Sequence, residues 1–568
     1  MNTKVSPYWK PVKTDESAVA RLQEALGIHP VCCRLLVQRG ITTEDEARRF
    51  FRPSMADLHD PFLMKDMDLA IERLSQAVER GEKIVIYGDY DADGTTAVAL
   101  LYSFLEGFHP NLDYYLPDRY KEGYGLSFEG INYAHEKGAT LMVVADCGIT
   151  ALTQAEHAKS LGIDLIICDH HMPGPVLPHA VAVLNPKRVD CEYPYKELSG
   201  CGIAFKLTQG YVESHGLDAR ALDALLDLLA ISIAADIVPI TGENRILAYF
   251  GLHRLNSTER PGLNALIDLS KRSRPLLIND IVFGLAPLIN AAGRLADADQ
   301  AVRLMLARDR TVGADYARVL NYRNQLRREF DQRIFSEAIA LFEHDENKHK
   351  KSSIVLFQPH WHKGVVGIVA SRMVEKYHRP SVILTQNDGI VAGSARSIYG
   401  FDLYQALLAC SDLLLTFGGH SHAAGLNMLP EQVPAFQDRF EALVQAWMQP
   451  DEMHPEIDIV DTLTLEDITP GFWKTLRQFA PFGPGNDNPV FASYGVFDSG
   501  SSRPLNGGHL RLSLRQNGSP SVMAVAFGQA EAYPQVATRR PFDLCYTLQE
   551  NHWADRTHLQ LVVKDFHF

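Results

Sequence analysis

The sequence predicts a multidomain α/β protein: a parallel-sheet domain joined by a long helix to a second α/β domain, with a C-terminal β-barrel of the OB type. Three observations carry that prediction. The chain has 568 residues, too many for one hydrophobic core and enough for about three or four domains. In the first half, short β-branched runs alternate with helical segments, the rhythm of a parallel sheet with helices on its faces. Near the C-terminus that rhythm gives way to five short alternating strands separated by turn residues, which suit a small closed barrel.

Residues 1–75 read as a helical segment, because "ESAVARLQEALG" and "TTEDEARRFF" carry helical periodicity broken by Pro53. Residues 76–312 form the first α/β domain, with strands expected at "KIVIYG", "TLMVVAD", "DLIICDHH" and "AVAVLNP". Residues 313–350 have no proline and no glycine after Gly313, which predicts a long connecting helix ending in a polar linker. Residues 351–450 return to an α/β pattern, and 451–568 supply the barrel strands "VFASYGVFDSG", "HLRLSLRQNG", "SVMAVAFG", "FDLCYTLQEN" and "HLQLVVKDFHF". Tyr494, Phe497 and Trp553 are aromatics of the kind that stack bases, but barrel aromatics are more often core and none is assigned a role.

Composition bounds the function. With 46% apolar and 22% charged residues the chain reads as soluble and globular. No apolar stretch approaches the ~20 residues of a membrane span, and "MNTKVSPYWKPVK" lacks the apolar core of a secretory signal. The 8 cysteines are scattered without a C-x-x-C pair, which points to thiols in a reducing cytoplasm and away from a zinc ribbon. A net charge of −14 excludes coating duplex DNA by bulk charge, though not a local basic groove.

The chemistry concentrates in "IYGDYDADGTT", where Asp89, Asp91 and Asp93 alternate at the end of a strand. The spacing matches the start of an EF-hand loop, which requires a bidentate Glu at its twelfth position. That position is Leu100, and a strand rather than a helix precedes the motif, so the calcium loop is excluded. Ligands of open parallel sheets lie beyond the carboxyl ends of the strands. There the next strands contribute Asp146 and then Asp169, His170 and His171, and the apolar run "LLDLLAISIAADIV" ends at Asp236. A single Asp in such a place is an ordinary helix cap. The whole set is not, because caps need no adjacent histidines and crowded carboxylates repel without cations. Carboxylates with one or two imidazoles suit Mn²⁺ or Mg²⁺ better than zinc. The ligands suffice for two ions, the arrangement that hydrolyses phosphodiesters.

These motifs identify a resemblance to the DHH phosphoesterase family, and within it to the single-strand-specific 5′→3′ DNA exonucleases. It rests on "GDYDADG", "PDRYKEGYGL", "VVADCGI", "DHH", "AADIVPI", "APLINAAGRL", "WHKGVVGIVASR", "GSARS", "FGGHSHAAGL" and "FAPFGPGNDNPVF". The resemblance implies a DHH catalytic domain, a long helix, a DHH-associated domain and an OB-fold. It also implies metal ligands at Asp91, Asp93, Asp146, His170 and Asp236, with Asp146 bridging, and supporting catalytic roles for Asp89, Asp169 and His171.

Arg119 in "PDRYKEG" and Arg294 in "NAAGRL" sit among small or turn residues, as do Ser394 and Arg396 in "GSARS". His420 and His422 follow in "GGHSHAAG". From the residues alone, surface salt bridges and phosphate contacts remain equally open. The resemblance implies that they form a pocket for a terminal 5′-phosphate. It further implies a monomer that releases 5′-mononucleotides from single-stranded DNA in recombination and repair, beside a single-strand-binding protein and a RecQ-type helicase. Two other readings stay open: a phosphodiesterase of short oligoribonucleotides or cyclic dinucleotides, and a non-catalytic replication scaffold. The complete ligand set disfavours the scaffold, and the long chain with its barrel favours a polymer substrate.

Overall fold

The computed structural model describes residues 7–295, 297–387, 389–448, 454–553 and 556–568, with the side chains of 552–557 outside the description. A strand β1 (Tyr8–Pro11) precedes three helices, Glu16–Leu26, Pro30–Gln38 and Glu44–Phe51. The first sheet then comprises β2 (Lys83–Gly88), β3 (Leu112–Tyr115), β4 (Ala139–Ala145), β5 (Asp164–Cys168) and β6 (Ala182–Leu184). All pairings are parallel, in the order β3-β2-β4-β5-β6. Strand order therefore reverses between β2 and β4, and a doubly wound sheet binds its ligand at such a switch point.

Successive residues of these strands point to opposite faces. Ile84, Ile86, Leu141 and Val143 pack into one core with the helices Ala92–Leu105, Gly200–Ser214 and Leu226–Ala235. Val85, Tyr87, Met142 and Val144 fill a second core on the other face. Both faces are dry, which is why these strands read as continuous apolar runs rather than as alternation.

The connecting helix runs from Arg310 to His344, capped by Asp309, whose carboxylate accepts the Thr311 and Val312 amides. It leads to a second sheet of β7 (Ile354–Phe357), β8 (Ser381–Asn387), β9 (Ile390–Arg396), β10 (Thr416–Gly419) and β11 (Ala423–Met428). This sheet is mixed: β7 and β8 are parallel, and the rest of the order β10-β11-β9-β8 is antiparallel.

After β12 (Glu456–Ile459) and the short β13 (Asp461–Thr462), the C-terminal unit contains β14 (Phe491–Asp498), β15 (Arg503–Leu505), β16 (His509–Arg515), β17 (Val522–Ala526), β18 (Phe542–Trp553) and β19 (Arg556–His567). Strand β14 pairs with both β18 and β16, so β14-β18-β19-β17-β16 closes on itself as the five-stranded barrel that the sequence predicts. Of its aromatics, Tyr494 is exposed and Phe497 half-buried, whereas the side chain of Trp553 lies outside the described residues.

The N-terminal segment is not the wholly helical preamble that its periodicity suggests. Strand β1 pairs in parallel with β12. Trp9 donates to Asp565 at 2.9 Å and stacks on His567 with centroids 3.9 Å apart. Val19, Leu22, Cys32, Leu35 and Leu36 share one core with Phe479, Phe491 and Leu512 of the barrel unit. The two chain ends fold together.

Candidate active site

Close backbone packing brings the acidic residues to the switch point. A Cβ on Gly88 would lie 2.4 Å from Val98 Cγ2, and one on Gly94 would lie 2.4 Å from the Asp89 carbonyl. Glycine at both positions therefore lets the helix Ala92–Leu105 start directly against the end of β2. Asp91 is the N-cap of that helix: its Oδ1 accepts the amides of Asp93 at 2.8 Å and Gly94 at 3.1 Å. The cap and ligand readings are thus compatible, since Oδ2 has no part in the cap. Asp93 accepts from the Gly200 and Cys201 amides at 2.7 and 2.9 Å and from Ser232 Oγ at 2.6 Å. The first turn of helix Gly200–Ser214 so fixes the Asp93 side chain.

Asp146 follows β4 in a left-handed conformation with φ +61°, an uncommon geometry for a residue with a side chain. A Cβ on Gly200 would lie 2.4 Å from its Oδ1. Asp236 sits at the C-cap of helix Leu226–Ala235, not at a strand end. His170 Nε2 lies 3.3 Å from Asp146, 3.6 Å from Asp236 and 3.9 Å from Asp93. Three groups place ligand atoms within 4.8 Å of one another: Asp146, His170 and His171; Asp93, His170 and Asp236; and Asp89, Asp91 and Asp146.

The electrostatics show what this arrangement lacks. Burial first, then the Asp91 charge, holds Asp89 well above the carboxylate range. Burial, then Asp93 and Asp91, does the same to Asp146 and Asp236. Burial pushes His170 down to about 4, so its ring is neutral. Buried polar atoms are ordinarily hydrogen-bonded, yet Asp89 Oδ1, Asp146 Oδ1 and both ring nitrogens of His170 have no hydrogen-bond partner among the described residues. Oxygens with a neutral imidazole, crowded and unsatisfied, fit divalent cations of the Mn²⁺ or Mg²⁺ type.

Asp169 is different. Its Oδ1 accepts the backbone amide of His171 at 3.1 Å and sits 2.8 Å from His171 Nδ1, and its Oδ2 accepts the Ile149 amide at 2.9 Å. Burial opposes its ionisation, but these bonds win and its pKa is lowered. His171 is likewise raised, against burial, by the same bond. Asp169 orients the exposed His171 ring, which also meets Tyr124 Oη at 3.0 Å.

A cavity of about 280 Å³ opens from the acidic cluster. Asp89, Asp91, Tyr90 and Tyr124 line one part, Arg119, Asn290 and Arg294 another. Arg119 lies over Tyr90, 5.1 Å from the ring centroid. Arg294 Nη1 reaches across to the Gly364 carbonyl at 3.2 Å. A Cβ on Gly364 would lie 2.4 Å from the Arg294 carbonyl, and one on Gly367 would lie 2.9 Å from Ser394 Oγ. Gly364 therefore lets the second domain approach helix Ala286–Leu295 of the first, and Gly367 lets helix Val366–Tyr377 lie directly on β9. Arg396 donates to Ser394 Oγ at 2.9 Å and to the Ala395 carbonyl at 2.7 Å. Burial, then Arg119, Arg327 and Arg396, pushes Arg294 down to about 10. Among the described residues none of Arg119, Arg294 and Arg396 forms an ion pair within 4.0 Å.

Three stretches of the chain match known domains. Residues 83–233 match the DHH family N-terminal domain, 350–446 the DHHA1 domain and 459–565 the RecJ OB domain. The chain is 38% identical over 563 residues to the single-stranded-DNA-specific exonuclease RecJ of Bacillus subtilis, covering 98% of this chain and 70% of that protein. It is 35% identical over 554 residues to the Escherichia coli RecJ, covering 94% and 95%. The chain belongs to the RecJ family. The crystal structure of Thermus thermophilus RecJ in complex with Mn²⁺ superposes with a TM-score of 0.85 at 28% identity, covering 100% of this chain and 80% of that one. A second Thermus thermophilus RecJ structure contains Mg²⁺.

Within this RecJ fold, Asp89, Asp91, Asp93, Asp146, Asp169, His170, His171 and Asp236 converge at the switch point. Ser394, Arg396 and His420 arrive from the second sheet. Burial lowers the pKa of His420, and the charges of His422, Arg396 and His171 lower it further, so the two domains face each other here. Of the two histidines before Gly364, His360 contacts Glu337 at 3.0 Å and His362 stacks on Phe330 at 5.1 Å, both on the long helix, and His362 also meets Tyr120 edge-on with centroids 6.2 Å apart. Sequence reasoning gave no role to Tyr124, Asn290 or Arg327. Asn290 Oδ1 accepts the Ala92 amide at 2.7 Å, bracing the acidic loop. Its sequence signal, a polar residue on an apolar helix face in "PLINAAG", is weak on its own.

Proposed function

We propose that this chain degrades single-stranded DNA from its 5′ end, hydrolysing one phosphodiester at a time with two Mn²⁺ or Mg²⁺ ions. The observation that carries the reading is the unpaired guanidinium cluster of Arg119, Arg294 and Arg396 beside the carboxylate cavity. Three like charges held close, without a carboxylate within 4.0 Å among the described residues, are suited to an anion. In this reading Asp91, Asp93, Asp146, His170 and Asp236 would hold the ions, with Asp146 shared by two of the ligand groups and Asp89 beside them. Bound there, paired ions supply an activated water and charge for the leaving oxygen.

The protein's own groups do the rest. Asp169 fixes His171, whose exposed ring faces the scissile phosphate. Arg119, Arg294, Ser394 and Arg396 grip the terminal 5′-phosphate, with His420 and His422 at the rim. An end held in this pocket places the next phosphodiester over the ligands, so mononucleotides leave from the 5′ end. The domain division 76–312, 351–450 and 451–568 around the helix of 313–350 goes with it: chemistry in the first, end recognition shared between the first and the second, strand holding in the barrel. Action as a monomer in the cytoplasm, in recombination and repair beside a single-strand-binding protein and a RecQ-type helicase, belongs to the same reading. All 8 cysteines are free and buried, as a reducing compartment permits. No helix among the described residues is long and apolar enough to cross a membrane.

The test is product length from 5′-labelled and 3′-labelled single strands, with Mn²⁺ and with chelator. Labelled mononucleotide from the 5′ label, with progressive shortening of the 3′-labelled strand, is expected. Mononucleotide from the 3′ label first would overturn the polarity. Cleavage confined to oligonucleotides of a few residues would favour a small-substrate phosphodiesterase, and no Mn²⁺-dependent cleavage would leave a scaffold.

A further inference from the structure

The segment that carries Asp236 is gripped by a loop of the barrel unit, and we infer that this loop positions Asp236 for metal binding. The inference rests on the proposed ligand role of Asp236. Ile237, the next residue, has φ +60° and is exposed. A β-branched residue in the left-handed region is strained and persists where its surroundings over-determine it.

Those surroundings come largely from "FAPFGPGND", residues 479–487. The Ile240 amide donates to the Pro484 carbonyl at 2.7 Å. A Cβ on Gly483 would lie 2.5 Å from Ile240 Cγ1. Gly485, at φ +73°, would place a Cβ 3.0 Å from Thr241 Cγ2. The two glycines of the G-P-G motif therefore let the loop press directly on residues 240 and 241. From the catalytic side, Asn244 Nδ2 and Tyr195 Oη hold the Pro239 carbonyl at 3.0 and 3.2 Å. The strained turn after Asp236 is clamped from both sides.

The loop is itself fixed. Asn486 Nδ2 donates to the carbonyls of Phe479 and Pro481, each at 2.8 Å, and its Oδ1 accepts from Arg39 at 2.6 Å. Arg245, on the helix Gly242–Asn256 that continues from the Asp236 segment, donates to the carbonyls of Phe50 at 2.7 Å and Ala480 at 3.1 Å. Its guanidinium lies 3.7 Å from the Phe50 ring centroid. The catalytic domain, N-terminal segment and barrel unit thus meet around one loop, within a few residues of a metal ligand. This gives the glycine-rich motif a role beyond joining domains.

Energetic coupling is reciprocal, so a loop that favours the metal-binding position of Asp236 must itself be favoured by metal. The full chain tests this without DNA. Mn²⁺ affinity, read from the electron paramagnetic resonance of free Mn²⁺, is measured for wild type, Gly483→Val and Asp236→Asn. Gly483→Val is expected to weaken Mn²⁺ binding about tenfold, as loss of outer support for a ligand does, while keeping cooperative unfolding. Asp236→Asn is expected to weaken it at least as much. Weakening in Asp236→Asn alone overturns the loop's role and leaves the ligand reading standing. No weakening in either variant overturns both. A second readout needs no loop variant: Mn²⁺ should slow amide hydrogen exchange at Ile240 and Asn486 in wild type but not in Asp236→Asn. Exchange at these amides that ignores Mn²⁺ in the wild type also overturns the proposal.

Discussion

Arg396→Ala isolates end recognition from chemistry. Among the described residues Arg396 forms no hydrogen bond or ion pair with the acidic cluster: its Nη1 bonds Ser394 Oγ at 2.9 Å and the Ala395 carbonyl at 2.7 Å. A charge-assisted hydrogen bond to a phosphate contributes roughly 1.5–3 kcal/mol. Two effects move the expectation toward the low end. Part of the donor capacity is already used within the pocket, and removing one of several crowded cations relieves the repulsion felt by Arg294. A loss near 1.4 kcal/mol corresponds to about tenfold. The assay is kcat/KM on one strand carrying either a 5′-phosphate or a 5′-hydroxyl. Wild type should prefer the phosphate, and Arg396→Ala should reduce that preference about tenfold with little change on the hydroxyl end. An equal loss on both ends would show that Arg396 serves general backbone binding or folding. A wild type indifferent to the end group would refute the pocket itself, and polarity would have to come from an obstruction elsewhere.

Asp146→Ala should abolish hydrolysis even at saturating Mn²⁺ while fluorescence anisotropy still detects single-strand binding, because the bridging ligand position is lost and the cationic pocket is not. In the metal-free protein, Asp89, Asp146 and Asp236 hold protons above the ordinary carboxylate value of 3.8. The folded state therefore binds more protons than the unfolded state above that value, and stability falls as pH rises through the raised pKa values. Melting in chelator should show this decline and Mn²⁺ should suppress it, with proton release on Mn²⁺ binding; a flat melting profile would contradict it. Deleting residues 455–568 should expose Leu22, Leu35 and Leu36, which share the barrel core, so limited proteolysis should cut within residues 12–52 far faster than in the full chain.

How much of this was legible in the sequence depends on where each signal lies. The catalytic strands announce themselves because both faces are buried, and their ligands because Asp and His at successive strand ends serve no packing purpose. The barrel strands alternate and are separated by turns, so their number is legible too. Strand β1 is not: its four residues contain Pro11 and pair with β12, more than 440 positions away. Nor is the role of Asn290, whose side chain caps a helix begun 198 residues earlier.

The phosphate pocket sets the clearest limit, and the reason is electrostatic. A net charge of −14 describes the whole surface, whereas a binding field depends on which charges share a cavity. Arg119, Arg294 and Arg396 come from three separate segments, and Arg327 from a fourth, each unremarkable by itself. What brings them together is close approach of backbone. Gly293 would place a Cβ 2.3 Å from the Tyr90 carbonyl, Gly364 one 2.4 Å from the Arg294 carbonyl, and Gly367 one 3.2 Å from Arg396 Nη2. Each glycine is visible in the sequence, but the surface it approaches is not. The basic pocket within an acidic chain is thus encoded by glycines as much as by arginines, and substituting alanine at Gly364 should disturb end recognition without removing any charge.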